Sequence, residues 1–198
     1  METNRLEAFS DGVFAIAVTL LILEVRLPDL DGAPLSERLL QAWPGYLGFV
    51  ISFVTIGIMW ANHHSIFGLI HRTSHGLVVA NLLLLLCVSF LPFPTKVLGE
   101  HLRVAGDDQH TAALFYSGSF FVNAVFYNLL WQTAARKNRL IVPGCEAEAA
   151  EVTRRFRPGA PIYLMATLAA LWSVPLSLTI DAGLALLYVL PRASRSPD

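Results

Sequence analysis

A polar stretch runs directly into an apolar one near the start of the chain. Residues 5–11 include charged and hydroxyl side chains, and residues 12–23 are apolar up to Glu24. These twelve residues are too few to cross a membrane, because a spanning helix needs about 20. The polar stretch must therefore continue the same helix into the membrane. Charged groups in that position are costly, and by default they indicate function.

Uncharged stretches recur along the whole chain and predict one membrane domain, 1–198, with six spans. The last stretch, 158–190, would be about 50 Å long as a single helix, at 1.5 Å per residue, which is too long even when tilted. Pro175 lies inside it and predicts a hairpin of two short spans. The six predicted spans are residues 5–25, 44–70, 76–95, 111–135, 159–173 and 176–190.

Composition agrees with an all-α, multi-pass integral membrane protein. The chain is 55% hydrophobic and only 15% charged, whereas soluble domains carry about 25% charged residues. The net charge of −1 gives no reason to expect a nucleic-acid partner. With six spans, most Lys and Arg residues fall on one side, and this bias predicts that both termini are cytoplasmic. These residues are Arg5, Arg72, Arg136, Lys137, Arg139, Arg154, Arg155, Arg157, Arg192 and Arg195.

The predicted topology brings several polar side chains to one depth, about 5–10 Å on the cytoplasmic side of the midplane. They are Asp11 on the first span, Trp60, Asn62, His63 and His64 on the second, and Asn81 on the third. Buried polar groups at one depth should satisfy each other. We expect Arg5, Ser10 and Asp11 to form hydrogen bonds with a histidine of the second span and with Asn81. The sequence does not choose between the two histidines.

Three interpretations of this polar layer stay open. It can be structural, holding helices together, which we favour. It can be a proton or ion relay, as in a proton-coupled transporter that uses Asp11 and His63 or His64. It can be a metal site, because His71 and His75 have i, i+4 spacing; however, no cysteine or second carboxylate accompanies them.

The pattern Arg5-x-x-x-Phe9-Ser10-Asp11 resembles the signature of the transmembrane protein 175 family of endolysosomal cation channels and their bacterial homologues. The resemblance continues through residues 59–67 and 81–95, which are similar to the second and third spans of the family, and through the proline-broken pair at the end. It covers nearly the whole chain. The animal members carry two six-span units and pair as dimers, so the single unit here implies a homotetramer with a central pore.

The resemblance also implies which residues line the pore. By position after the motif, the pore-facing residues of the first span are Ile16, Thr19, Leu20 and Leu23. Their i, i+3, i+4, i+7 spacing places them on one helical face, although such a stripe alone is more often lipid-facing or packed. Four copies of Ile16 would form an apolar collar, and Thr19 would add a ring of hydroxyl groups.

We therefore expect a potassium-permeable cation leak channel in a bacterial cell membrane, with modest preference for potassium over sodium. Proton permeation is compatible with the same pore. No catalytic step and no cofactor besides the permeating ions is expected.

Glu24 would raise the local cation concentration or simply be solvated. Asp181 would be an outer-vestibule charge or, as we favour, a residue that caps a helix start. The basic residues at 136–139 and 154–157 would set topology or bind anionic membrane lipids.

Overall fold

The computed structural model describes residues 3–103, 106–136 and 139–189. Lys137, Arg192 and Arg195, which enter the charge argument, lie outside these residues, as does position 190 at the end of the sixth predicted span. Within them the secondary structure is helical, apart from one isolated antiparallel bridge between Ile70 and Ile141. The helices are α1 (Thr3–Leu20), α2 (Leu35–Gln41), α3 (Trp43–Phe67), α4 (His75–Phe90), α5 (Pro92–His101), α6 (Asp107–Ala135), α7 (Glu146–Phe156), α8 (Gly159–Ala169) and α9 (Val174–Val189).

Four stretches in the described part of the chain are long and apolar enough to cross a membrane. They are Thr3–Glu24, Trp43–Phe67, His75–His101 and Asp107–Ala135, of 22, 25, 27 and 29 residues. The first consists of α1 and a 3₁₀ turn over Leu21–Glu24, so the polar stretch is helical, as the sequence predicts. The chain is therefore an all-helical integral membrane protein.

Where the sequence predicts the last pair of spans, the structure has two short helices in succession. α8 has 11 residues and α9 has 16, which corresponds to about 17 and 24 Å of helix at 1.5 Å per residue. The break falls at Ser173, whose hydroxyl accepts the amide hydrogen of Leu176, and Pro175 occupies the first turn of α9, where its missing N–H costs nothing.

Several helix boundaries differ from the ends of the predicted spans. The second span ends at Phe67 instead of 70, and the fourth begins at Asp107 instead of 111. The third does not stop at 95: Pro92 starts α5 after a break at Leu91, and the helical stretch runs from His75 to His101. The fifth ends at Ala169 instead of 173. The short helix α2 is an element that the hydropathy pattern does not reveal.

Close packing of α3 against α5 depends on two glycines. A Cβ atom added to Gly99 would lie 3.2 Å from the Cα of Gly45, which is closer than ordinary contacts allow. The two backbones therefore approach each other directly, as small residues permit in membrane bundles. This contact fixes the N-terminal end of α3, the helix that carries Trp60 and His63 near its other end.

α6 lies at the centre of the bundle and packs against α4, α5, α8 and α9, while α1 packs against α3 and α4. On the side of the α1 N-terminus, two connections are joined. The His71 amide donates to the Leu140 carbonyl (3.0 Å), and the Val142 amide donates to the Leu69 carbonyl (2.9 Å). The α3–α4 connection is therefore fastened to the α6–α7 connection.

Candidate functional site

The first helix has a buried face and an exposed face along its whole length. Its buried side chains recur every three or four residues and contact α3 and α4; they are Leu6, Ser10, Phe14, Ala17 and Leu21. This spacing follows from 3.6 residues per turn. One of these residues, Ser10, is polar, so the buried face needs a hydrogen-bond partner at that position.

The exposed face of α1 contains all four residues that the resemblance assigns to a pore. Ile16 is 61% exposed and Leu23 is 67% exposed; Thr19 and Leu20 are also exposed. The hydroxyl of Thr19 donates to the Ile16 carbonyl at 2.9 Å, so its lone pairs remain available to a group outside the helix. From Ile16 through the 3₁₀ turn to Leu23, this exposed side is thus apolar, with one hydroxyl oxygen.

A chain of three hydrogen bonds fixes the buried face. His63 Nε2 donates to the Oδ1 atom of Asn81 (2.8 Å), because a carbonyl oxygen can only accept. Asn81 Nδ2 donates to Ser10 Oγ (2.9 Å), and Ser10 Oγ donates to the Leu6 carbonyl (2.8 Å). His63, Asn81 and Ser10 are fully buried. We call these three residues the support network; it joins α1, α3 and α4 without a formal charge.

The histidine ring of the support network is packed between two aromatic rings. Phe14 lies 5.3 Å from the His63 centroid in a tilted arrangement, and Phe67 lies 4.3 Å away in a stacked one. Among the described residues, His63 Nδ1 has no hydrogen-bond partner. The ring is therefore held in one tautomer by Asn81 and in one orientation by the two phenylalanines, which fixes how α1 is rotated against α3.

Two acidic residues of the polar stretch 5–11 form contacts that were not predicted. Asp11 does not bond to a histidine; its Oδ1 atom accepts the indole N–H of Trp60 at 2.9 Å. The partner of His64 is Glu7, whose Oε1 atom lies 2.7 Å from His64 Nδ1. Glu7 was not singled out from the sequence, although it lies one turn before Asp11. The histidine linked to Ser10 is His63, through Asn81.

Two residues of the motif make no such contact. Arg5 and Phe9 are exposed on the same side of α1 as Ile16, and the Arg5 guanidinium has no hydrogen-bond or ion-pair partner among the residues that the structure describes. The expected bond from Arg5 to a histidine or to Asn81 is therefore absent from this part of the chain. Both side chains point away from the chain's own core.

The other candidate residues occupy separate places. Glu24 ends the 3₁₀ turn and lines a pocket with Arg26, Asp29, Glu100 and Arg103, so it is not isolated at the helix end. Asp181 neither starts a helix nor faces solvent: it is within α9 and only 1% exposed. In the described ranges, no group of three or more His, Cys, Asp or Glu side chains could hold a metal ion.

The sequence and fold resemble known channels. The sequence profile of the family described as "Endosomal/lysosomal potassium channel TMEM175" matches residues 5–92. A potassium channel from Chamaesiphon minutus is 42% identical over 193 residues, which cover 96% of this chain and 94% of the relative. An endosomal/lysosomal proton channel from Gallus gallus is 32% identical over 149 residues, covering 70% of this chain but 29% of the relative.

The fold is also similar to that of a solved structure. The crystal structure of a lysosomal potassium-selective channel TMEM175 homolog from Chamaesiphon minutus superimposes with a TM-score of 0.85. The two chains are 41% identical, and the match covers 94% of this chain and 95% of the other. These relatives are named as ion channels, not as enzymes.

Proposed function

The chain belongs to the TMEM175 family, and on that basis we propose that it is a potassium-permeable cation leak channel. The observation that carries the proposal is the exposed apolar stripe of α1, combined with relatives named potassium channels over nearly the same length. In this proposal four chains form a homotetramer, and α1 of each chain lines a pore on the fourfold axis.

The division of α1 into two faces supports this arrangement. The support network and the apolar residues beside it attach the buried face to α3 and α4, so the rotation of α1 about its axis is set within each chain. The exposed face would then be directed at the symmetry axis in all four copies. The Ile16 side chains would form the narrowest ring, with Leu20 and Leu23 further along the same face.

An apolar ring controls conduction through its width. A narrow ring excludes water and closes the pore, whereas a wider one passes a partly dehydrated ion. Potassium releases its hydration water more readily than sodium because it is larger, so the preference for potassium should be modest. The lone pairs of Thr19 would face the pore and offer oxygen atoms to the ion.

The proposal includes six spans in each chain, with α8 and α9 as the short final pair. Both termini are then cytoplasmic, in accordance with the distribution of basic residues. Arg5 would lie at the cytoplasmic mouth, and Glu24, on the opposite side, would belong to the pocket beside the outer mouth. A bacterial cell membrane is the location that this proposal assumes.

A substitution at Ile16 tests the proposed constriction. Ile16→Asn would keep the collar hydrated, so we expect conductance to rise several-fold and the potassium-over-sodium preference to approach unity. The measurement is the single-channel current and the reversal potential of purified protein in planar bilayers under a potassium-to-sodium gradient. Leu186→Asn is the matched control, since Leu186 is 65% exposed but lies on α9. Unchanged conductance and selectivity in Ile16→Asn would show that Ile16 is not the constriction.

Two alternatives are separated by the same recordings. A proton-coupled transporter that uses Asp11 with His63 or His64 would saturate and give no resolvable single-channel currents. The hydrogen bond of Asp11 to Trp60, instead of to a histidine, offers that mechanism no direct proton path. Proton permeation beside potassium is favoured by the relative named a proton channel; a reversal potential that moves with a pH gradient would reveal it.

A further inference from the structure

A carboxyl group is buried between α6 and α9, far along the sequence from the helix that we propose as the pore lining. Asp181 is the eighth residue of α9 and is 1% exposed. Ser117 of α6 and Ser177, one turn earlier on α9, are fully buried beside it. We call Ser117, Ser177 and Asp181 the Asp181 site; neither the function proposed above nor the motif uses it.

The hydrogen bonds at this site are too few for an ionised carboxylate. Ser117 Oγ lies 2.6 Å from Asp181 Oδ2, and the Ser177 hydroxyl lies 2.8 Å from Ser117 Oγ. Asp181 Oδ1 has no hydrogen-bond partner in the described ranges. A carboxylate offers about four acceptor positions and requires most of them to be filled when it leaves water. One hydroxyl is a weak substitute for that hydration.

No positive charge compensates the group either. In the part of the chain that the structure describes, Asp181 has no ion pair with Lys, Arg or His. The elements packed against α9 present few titratable side chains here. Tyr116 of α6, next to Ser117 in the chain, is one of them, and its hydroxyl bonds to Ser52 of α3 at 3.0 Å. Burying a lone carboxylate costs much more than burying its neutral form.

The remaining neighbours are uncharged. α8 contributes Tyr163, which stacks on Phe120 of α6. α3 lines the spaces that it shares with α9 through Ile51 and Thr55. His110, two turns before Ser117 on α6, instead bonds to the Ala170 carbonyl. A protonated carboxyl group is therefore the form that these surroundings accommodate.

We propose that Ser117, Ser177 and Asp181 form a proton-binding site, distinct from the ion pathway, in which a neutral Asp181 carboxyl joins α9 to α6. The ligand is a single proton, held in the folded chain and released from the unfolded chain. Because the folded state binds one more proton than the unfolded state, its stability falls as pH rises. The decline begins near pH 4, where an ordinary aspartate ionises, and stops once the folded chain also releases the proton.

The test compares the folded full-length wild type with Asp181→Asn in detergent micelles, by denaturant titration from mildly acidic to mildly alkaline pH. Asparagine has nearly the same shape and is always neutral. We expect the wild-type folding constant to fall relative to that of Asp181→Asn by about tenfold per pH unit. This decline applies between the pH at which the unfolded chain releases the proton and the pH at which the folded chain does. Asp108→Asn is the matched control, because Asp108 is exposed at the start of α6; it should leave the wild-type pH dependence unchanged.

Infrared spectroscopy decides the question independently of variant stability. The protein carries Asp11→Asn, so that the carboxyl group of Asp11 does not contribute to the spectrum, and its aspartates are labelled with carbon-13. At neutral pH the folded protein should then show an isotope-shifted carbonyl band of a protonated carboxyl group. That band should vanish when Asp181→Asn is added. A folded protein without the band, or a stability difference between wild type and Asp181→Asn that stays constant with pH, would overturn the proposal. If Asp181→Asn does not fold, presence or absence of the band in the Asp11→Asn protein still gives the answer.

Discussion

The support network and the Asp181 site are both buried and polar, but they handle charge in opposite ways. In the support network the interior positions are an imidazole, an amide and a hydroxyl, while the carboxylates Glu7 and Asp11 lie toward the edge and reach His64 and Trp60. In the Asp181 site the carboxyl group itself is in the interior and two hydroxyls surround it. The two carboxyl groups at the edge are partly exposed, whereas the one in the interior is the group that we propose to be neutral.

The two sites also differ in what they do for their helices: one sets the rotation of α1, and the other holds α9 against α6. Each bond of the support network has a defined direction, from His63 through Asn81 and Ser10 to a backbone carbonyl, so it specifies one rotation of α1. The hydroxyls of the Asp181 site can exchange donor and acceptor roles. A network whose bonds each have one direction can set how α1 would face the axis of the proposed tetramer. A site whose hydroxyls exchange donor and acceptor roles can still keep two helices together.

Among the substitutions of polar residues, the largest effect should come from the centre of the support network. Asn81→Leu leaves the His63 Nε2–H buried without an acceptor, and an unsatisfied buried donor costs about 1–3 kcal/mol. We expect that loss of unfolding free energy in a denaturant titration in micelles. Ser177→Ala is the control from the other site, because Ser117 keeps Asp181 as its partner; about 0.6 kcal/mol is expected there. Equal losses in the two variants would remove the distinction between the sites.

A smaller effect is expected at the edge of the support network. Asp11→Ala removes the acceptor of the Trp60 indole N–H, at a cost of about 1 kcal/mol, and we expect assembly to suffer more than permeation. Native mass spectrometry should show a lower tetramer fraction, while the remaining channels keep the wild-type single-channel conductance. Asp11→Asn retains an acceptor oxygen and should assemble better than Asp11→Ala. Normal tetramer yield with abolished current would instead place Asp11 in the ion pathway.

The smallest effect should be at Glu7. The His64 side chain is 67% exposed, and exposed ion pairs contribute little, so Glu7→Gln should change the unfolding free energy by less than about 0.5 kcal/mol. Leu6→Ala, its buried neighbour on the same turn, should cost about 2–5 kcal/mol in the same denaturant titration. A loss at Glu7 comparable to that of Leu6→Ala would mean that this ion pair is covered in the assembled protein.

Much of the fold follows from patterns that the sequence displays directly. Uncharged stretches locate the long helices, and the short apolar segment after Asp11 correctly requires the polar motif to be helical. Pro175 locates the final hairpin. The break at Leu91 could not be recognised in the same way, because Pro92 allows a new helix to begin at once. The helix α2 has too few residues to leave a clear hydrophobic period.

The predicted topology indicated which polar residues lie near one another, but not which of them form hydrogen bonds with each other. Topology alone places Ser10, Asn81 and the second-span histidines near each other, and the structure joins them. Adjacent residues such as His63 and His64 lie about 100° apart around a helix, so their partners depend on how α3 is rotated. That rotation is decided by tertiary packing, including the contact of Gly45 with Gly99. The burial of Asp181 depends on the same kind of packing, between α6 and α9.

The bridge between Ile70 and Ile141 determines where a label can be attached without disturbing the bundle. An insertion beside His71 would break hydrogen bonds of two connections at once, so tags and fluorophores are poorly tolerated there. The turn at Asp31 and Gly32 is different, since both residues are exposed, and of the two it is Gly32 that has the left-handed backbone, with φ of 73°. A cysteine introduced at Asp31 is therefore the better attachment point for distance measurements between the copies of the proposed homotetramer.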